Sequence, residues 1–244
     1  MHMLCSKKSF PSGRLLRDTL QEILGKKIKI TTKNFNLPPI VRYGNPEFYY
    51  RDDTIYNSSD FIRLCSDKRR FSNTLIENEI TDVPVFRRDS QLIFPLIVRT
   101  SLFLSGGLGI IVCRNLEEFE NIWQPRFWWT PFIKTDFELR VHVLGGKISK
   151  IFRKVYNNEG AEEFPIRNNH NSHFVKKNIE KYSKLEEIVG HITNIFGENN
   201  FFALDIGWDS RNKRYFIFEA NSAPGLNFLT AKDYASFLAE RIQG

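Results

Sequence analysis

Two β-hairpins constrain the fold of this chain more than any other feature of its sequence. The first joins Leu139–Leu144 to Lys147–Phe152 through a Gly-Gly pair, which predicts a two-residue turn. The second joins Phe201–Trp208 to Tyr215–Asn221. Between the hairpins, Ile179–Phe196 carries apolar residues at helical spacing and predicts an amphipathic helix. Hairpins that flank such a helix predict an α+β (α/β) fold.

The remaining segments predict further lobes around these hairpins. Helices are expected at Leu15–Leu24, Lys68–Asn78, Leu116–Trp123 and Ala231–Ile242, and a further helix is expected after the cap residues Asn57–Asp60. Strands are expected at Leu92–Arg99, Gly109–Cys113 and Phe132–Ile133. Residues 157–174 are expected to form an irregular polar loop. The segment Asp82–Val85 reads as a linker. We therefore expect a short N-terminal lobe at 1–84, a small lobe at 85–131 and a large lobe at 132–244.

Charge and composition limit the classes of partner. The chain of 244 residues has 35 Lys and Arg against 28 Asp and Glu, a formal net charge of +7. This balance favours an anionic partner, either nucleic acid or a polyphosphate such as ATP. A solvated basic surface is the alternative, and no nucleic-acid-binding motif is found.

The compartment is also an expectation from composition. No long apolar run and no signal-peptide pattern is found, and the three scattered cysteines fit a reducing environment. We therefore expect a cytoplasmic protein with no membrane contact, and no sequence feature indicates its oligomeric state.

Three oxygen-bearing side chains in the second hairpin are expected on one face of the sheet. Glu219 and Asn221 lie two apart on one strand, so their side chains leave the same face. With Asp205 opposite Ile217 on the partner strand, Asp205 shares that face and lies one diagonal step from Glu219. Carboxylate and amide oxygens grouped in this way predict a Mg²⁺ site.

Several arginines could either serve this site or neutralise it. Arg99 ends a strand, Arg140 and Arg153 lie on the first hairpin, and Arg167 lies in the polar loop. Arginines that converge on a cleft would neutralise a triphosphate and a transferring phosphoryl group. The alternative is that Arg140 or Arg153 forms structural ion pairs with the two acidic residues across the sheet.

A glycine-rich loop separates two of the expected strands. Ser105–Gly109 contains three glycines, and their backbone N–H groups can approach phosphate oxygens closely. The loop matches neither a P-loop nor a dinucleotide-binding fingerprint. A plain hairpin turn is therefore the alternative.

Taken in chain order, these segments resemble the ATP-grasp superfamily, and in particular the RimK-like glutamate ligases, which add amino acids to a protein carboxyl end. The resemblance covers about residues 60–230, and its last motif is the most specific. The motifs are Leu96–Arg99, Ser105–Ile110, Glu138–Gly146, Ile151–Arg153, Ile166–Asn168, Ala203–Ile206 and Phe218–Leu226. The resemblance implies an ATP-grasp fold, in which two α+β lobes clasp ATP, preceded here by a short N-terminal lobe like that of other members.

The resemblance also implies a role for each matching residue. Asp205, Glu219 and Asn221 match the magnesium ligands, whereas Arg140 and Arg153 match arginines near the transferred phosphate and the acyl acceptor. The residues that match ATP-binding positions are Lys68, Arg99, Gly106, Gly107, Gly109, Pro131, Phe132, Ile133, Arg167 and Asn168. The glycines in this set belong to the loop over the phosphates, and the segment 131–133 lies where a strand meets adenine. Arginine at position 99 departs from the family, which usually has lysine there.

The implied activity is ligation of a carboxylate to an amine through an acylphosphate, with ATP and Mg²⁺, or Mn²⁺ in its place. The carboxylate would belong to a small molecule or to a peptide or protein end. Two alternatives stay open, namely an ATP-grasp kinase that phosphorylates a hydroxyl group and a non-catalytic protein that binds nucleotides or nucleic acid. Residues 1–37 match the family poorly, so the resemblance does not imply a particular substrate.

Overall fold

The computed structural model describes residues 1–33, 39–46, 56–88, 91–104, 107–157 and 171–244. Within these ranges the chain forms three β-sheets and six α-helices, which confirms the predicted α+β class. Gly106, Arg167 and Asn168, which match ATP-binding positions by resemblance, lie outside the described residues.

A parallel sheet of three strands lies at the N-terminal end of the chain. Its strands, in the order β2-β1-β3, are β1 (His2–Cys5), β2 (Lys29–Thr31) and β3 (Val41–Tyr43). The helix α1 (Phe10–Leu24) connects β1 to β2. It begins before the expected Leu15 because Pro11 is compatible with the first helical turn, and it ends at Gly25 in the left-handed conformation.

The large sheet has five antiparallel strands in the order β11-β10-β7-β8-β9. They are β7 (Phe137–Leu144), β8 (Lys147–Tyr156), β9 (Ser172–Lys177), β10 (Phe201–Asp209) and β11 (Arg214–Asn221). Both predicted hairpins are confirmed. The expected loop over 157–174 is wrong where it overlaps β9, an edge strand whose residues are mostly exposed and therefore lack a clear apolar pattern.

Helices cover one face of the large sheet and build the main core. These helices are α2 (Ser59–Ser66), α3 (Lys68–Glu77) and α5 (Lys184–Phe196). Val141 and Leu204 of the sheet pack against Leu185 and Val189 of α5, and all four are fully buried. The predicted helix over 179–196 is interrupted at Ser183, since Ile179–Tyr182 forms a separate 3₁₀ turn.

A smaller antiparallel sheet of three strands has the order β5-β4-β6. The strands are β4 (Leu96–Arg99), β5 (Ile110–Cys113) and β6 (Trp128–Pro131), and the helix α4 (Leu116–Glu120) lies between β5 and β6. The expected strand at Phe132–Ile133 is wrong. The strand lies at Trp128–Pro131 because Trp129 is buried opposite Val98 and anchors the core of this sheet.

The helix α6 (Phe228–Gln243) packs on α1 and joins the N-terminal sheet to the large sheet. Leu16 and Val41 share a core with Leu238 and with Phe201 of β10. None of the helices in the described residues has the length and hydropathy that a membrane span requires.

The turn between β7 and β8 gives a test of the hairpin. Gly146 has φ of 81°, and a Cβ atom on it would lie 2.8 Å from the Thr193 side chain. We expect Gly146→Ala to lower the free energy of unfolding by about 1–3 kcal/mol, because strain and a clash act together. Gly190→Ala is the control, since Gly190 lies within α5 and a Cβ atom on it would have no other atom within 4 Å.

Urea unfolding measures both variants. The control should be unchanged or gain up to about 1 kcal/mol, because alanine favours a helix interior. Equal midpoints for Gly146→Ala and the wild type would contradict the assigned turn.

Candidate functional site

The register of the second hairpin places Asp205 directly opposite Glu219. The expected pairing with Ile217 is wrong, because the turn shifts the ladder by one residue and a bulge between Asp205 and Ile206 shifts it by another. From Asp205 onward the total shift is two residues, which keeps Asp205 on the same face as Glu219 and Asn221. Asn221 pairs with Ala203, so the three oxygen-bearing side chains share one face and lie closer together than expected.

Arg140 and Lys154, whose side chains are largely buried, hold the Asp205 carboxylate. Arg140 lies opposite Asp205 on β7, and its Nε and Nη2 atoms donate to the two carboxylate oxygens at 2.8 Å each. Lys154 of β8 donates to Asp205 at 3.4 Å and to Glu138 at 3.2 Å. The structural alternative proposed for Asp205 is therefore present in this structure, with Arg140 as the partner.

The charges in this cluster stabilise one another against the cost of burial. Burial alone would raise the pKa of Asp205, but Arg140 and Lys154 outweigh it and lower that pKa. In the same way burial would lower the pKa of Arg140 and of Lys154, and the Asp205 charge raises both. All three groups are therefore charged at neutral pH.

Lys154 was not predicted, and it takes the position expected for Arg153. An uninterrupted ladder from the Gly-Gly turn would place Arg153 opposite Glu138 on the site face. A bulge between His142 and Val143 moves the register by one residue, so Lys154 pairs with Glu138 instead. Arg153 pairs with Leu139 on the opposite face, and its guanidinium lies 5.3 Å from the centre of the Phe137 ring.

Glu219 of the large sheet contacts the helix α3, and the same residue of α3 also contacts the segment after β4. Lys68, the first residue of α3, lies 3.2 Å from Glu219 and donates to the carbonyl oxygen of Leu104 at 2.8 Å. Asn221 donates from Nδ2 to Glu219 Oε1 at 3.4 Å. The predicted ATP lysine therefore lies beside a predicted metal ligand.

Arg99 faces the same region from β4. Burial lowers its pKa, and the negative charge of Glu219 partly opposes this shift. The Nε atom of Arg99 is buried and has no hydrogen-bond partner among the described residues. A buried guanidinium nitrogen of this kind could bind an anionic group.

The other predicted ATP residues in the described ranges lie in or next to the three-stranded β5-β4-β6 sheet. Gly107 and Gly109 have φ of 79° and 70°, which suits glycine at both positions. Pro131 ends β6, and Phe132 donates its backbone N–H to the Pro95 carbonyl oxygen at 2.9 Å. Ile133 follows outside any strand. Their contacts with a nucleotide stay predictions.

The donor atoms of the site fit a magnesium ion. No group of three His, Cys, Asp or Glu that could hold a metal is present in the described residues, so the amide oxygen of Asn221 would complete the set. An ionised carboxylate has about four acceptor positions, and Asp205 uses three of them for Arg140 and Lys154. One position is therefore left for a metal.

Comparison with known proteins gives the class of fold. No protein-family model matches the sequence, and no curated protein matches it. The structure is similar to a RimK-domain ATP-grasp protein from Sphaerobacter thermophilus, with a TM-score of 0.68, 14% identity and 100% of both chains covered. The chain therefore has the ATP-grasp fold.

Two further solved structures share this fold. The D-alanine–D-alanine ligase from Bacillus anthracis complexed with ATP gives a TM-score of 0.65 and 14% identity, over 99% of this chain and 94% of that chain. The ATP-grasp ligase PsnB complexed with a minimal precursor, Mg and ADP gives 0.64 and 10%, over 98% and 96%. Similarity at such low identity extends to the fold and leaves the activity to be argued from the site.

The buried ion cluster predicts a large effect of removing its carboxylate. Asp205→Asn should lower the free energy of unfolding by about 3–5 kcal/mol at pH 7, because Arg140 loses its paired carboxylate and Lys154 keeps only Glu138. Chemical unfolding measures the effect. Asp60→Asn is the control and should change stability by less than about 0.5 kcal/mol, since Asp60 is exposed and 3.8 Å from Arg63.

The pH dependence follows from the lowered pKa of Asp205. The contribution of this group is complete above the unfolded-chain pKa of about 3.9 and is lost as the pH falls below it. The stability difference between Asp205→Asn and the wild type should therefore shrink below about pH 4. A difference that stays constant down to pH 2 would contradict this pairing.

Proposed function

We propose that this chain is an ATP-dependent ligase that joins a carboxylate to an amine through an acylphosphate. The observation that carries the proposal is the row Arg140–Asp205–Glu219 across the face of the sheet not covered by α5, within an ATP-grasp fold. Lys68 and Lys154 contact the two carboxylates of this row. The site thus combines oxygen ligands for a metal with cations for phosphate groups.

The cations suit a triphosphate. Arg140 and Lys154 now bind Asp205, and Lys68 binds Glu219. Each of these donors can turn to a phosphate oxygen when a metal ion takes part of the charge of the carboxylates. The buried Nε atom of Arg99 adds a further donor for an anionic oxygen.

Asp205, Glu219 and Asn221 would hold Mg²⁺ or Mn²⁺. When bound, the metal ion would neutralise part of the negative charge on the phosphate oxygens during transfer. The strand register would keep the three oxygens on one face of the sheet when the cations turn from the carboxylates to phosphate. Such a fixed arrangement favours the charge distribution of phosphoryl transfer.

The proposed reaction has two steps. A substrate carboxylate oxygen forms a bond to the γ-phosphorus of ATP, and the bond from that phosphorus to the β-γ bridging oxygen breaks to release ADP. An amine nitrogen then attacks the acyl carbon, loses a proton and displaces phosphate, which leaves an amide. In this proposal Arg140 and Lys154 would neutralise the oxygens of the transferred phosphoryl group.

The proposed acceptor is the carboxyl group of a small molecule or of a peptide end. PsnB, which shares the fold, is described in complex with a minimal precursor, and the Bacillus anthracis relative is described as a D-alanine–D-alanine ligase. These descriptions concern those proteins. They make amino acids and peptides the first compounds to supply as substrates.

Product analysis tests the proposal. The protein is incubated with Mg-ATP and pools of carboxylic acids, amines and peptides, and ADP, phosphate and product masses are measured. We expect ADP and phosphate in equal amounts with a new amide. Glu219→Ala should lower turnover by at least about 100-fold through loss of a metal ligand.

Glu219 is chosen because its side chain is partly exposed, so the variant should stay folded. Glu187→Ala, on the exposed side of α5, is the matched control and should keep full turnover. A stable phosphoester would show a kinase, and nucleotide binding without ADP release would show a non-catalytic binder. Full turnover by Glu219→Ala would refute the metal assignment.

A further inference from the structure

We propose that Asn57 is a positioning residue for the metal site, because it fixes the point at which β11 leaves the sheet next to Asn221. This inference rests on the proposed role of Asn221 as a metal ligand. Asn57 lies just before α2 and is fully buried. Its φ of 61° is rare for a residue other than glycine. The surrounding contacts must therefore hold it there.

The side chain of Asn57 bridges the two strands that carry the proposed metal ligands. Its Nδ2 atom donates to the carbonyl oxygen of Ser222 at 3.0 Å, and its Oδ1 atom accepts the backbone N–H of Phe201 at 2.8 Å. The backbone N–H of Asn57 donates to the carbonyl oxygen of Asn199 at 3.3 Å. One buried side chain thus contacts the beginning of β10 and the end of β11.

These hydrogen bonds lie just beyond the end of the ladder between β10 and β11. The last pair between the strands is Ala203 with Asn221. Beyond this pair, the buried N–H of Phe201 and the carbonyl oxygen of Ser222 each need a hydrogen-bond partner from outside the ladder. The amide of Asn57 has the donor and acceptor of a peptide unit and satisfies both.

The segment after Asn221 continues along the N-terminal lobe. Tyr43 donates from its hydroxyl group to the carbonyl oxygen of Pro224, and the backbone N–H of Leu226 donates to Ser12 Oγ at 3.1 Å. Gly44 approaches Ala223 so closely that a Cβ atom on it would lie 2.7 Å from the Ala223 side chain. Residues 222–226 are therefore held at both ends by residues of the N-terminal part.

The direction of the Asn221 side chain follows from these contacts. Asn221 lies between Ala220, which still pairs in the ladder with Leu204, and Ser222, whose carbonyl oxygen is bound by Asn57. Its peptide planes are thus fixed on both sides. Loss of the Asn57 amide frees the second side, so the Asn221 side chain would no longer be held beside Glu219.

The experiment compares metal binding in Asn57→Gly and Asn115→Ala. Glycine tolerates the positive φ of position 57, so the first variant removes the amide without adding backbone strain. Asn115→Ala removes the side chain that caps α4, in the small lobe, and controls for a general loss of stability. Mn²⁺ binding is measured by electron paramagnetic resonance with a non-hydrolysable ATP analogue, and analogue binding is measured separately in EDTA.

We expect Asn57→Gly to weaken Mn²⁺ binding by about 10- to 100-fold, as the loss of a residue that orients a ligand does. Analogue binding in EDTA should change by less than about threefold, and Asn115→Ala should leave Mn²⁺ binding unchanged. In Asn57→Gly the Leu226 amide should also exchange its hydrogen at least about tenfold faster, because the segment is released at one end.

Each outcome decides one of the two proposals. Wild-type Mn²⁺ affinity in Asn57→Gly would overturn the positioning role, and so would an equal loss of affinity in Asn115→Ala. If the wild type itself binds no Mn²⁺ with the analogue, the proposed metal site fails. Hydrogen exchange at Leu226 then tests Asn57 alone, and an unchanged rate in Asn57→Gly would overturn its role in ordering residues 222–226.

Discussion

Asp205 of β10 and Arg140 of β7 lie opposite each other on neighbouring strands of the five-stranded sheet. If either charge is removed, the other loses its partner in a largely buried position. Their bidentate pair and the contact with Lys154 fix the relative position of β7, β8 and β10. A buried pair of this kind costs desolvation energy, so its main contribution is to favour the one strand register in which both charges are paired. The proposed chemistry depends on that register.

Two bulges adjust the register so that the right side chains reach the same face. One bulge shifts the pairing between β10 and β11 at Asp205/Ile206 and brings Asp205 opposite Glu219. The other shifts the pairing between β7 and β8 at His142/Val143 and brings Lys154 to the site. Because side chains alternate along a strand, a single added residue exchanges one face for the other. The choice of Lys154 instead of Arg153 follows from one such residue.

The sequence predicted the features that depend on local patterns. The hairpins follow from alternating residues and from glycine at a turn, and the helix that contains Leu185 and Val189 follows from helical periodicity. The shared face of Asp205 and Glu219 follows from alternation along the strands. The bulges could not be predicted, since they are set by packing between distant segments. Strand β9 was not predicted because it is an edge strand with mostly exposed residues. The position of β6 follows from the burial of Trp129, which β-propensity alone does not predict.

The shared core of the N-terminal sheet and α6 has a consequence for folding. Leu16 and Val41 find their packing partner Leu238 close to the other end of the described chain. During synthesis these apolar residues leave the ribosome early and stay without their packing partner until α6 is synthesised. The N-terminal sheet can therefore complete its core only after α6 has been synthesised.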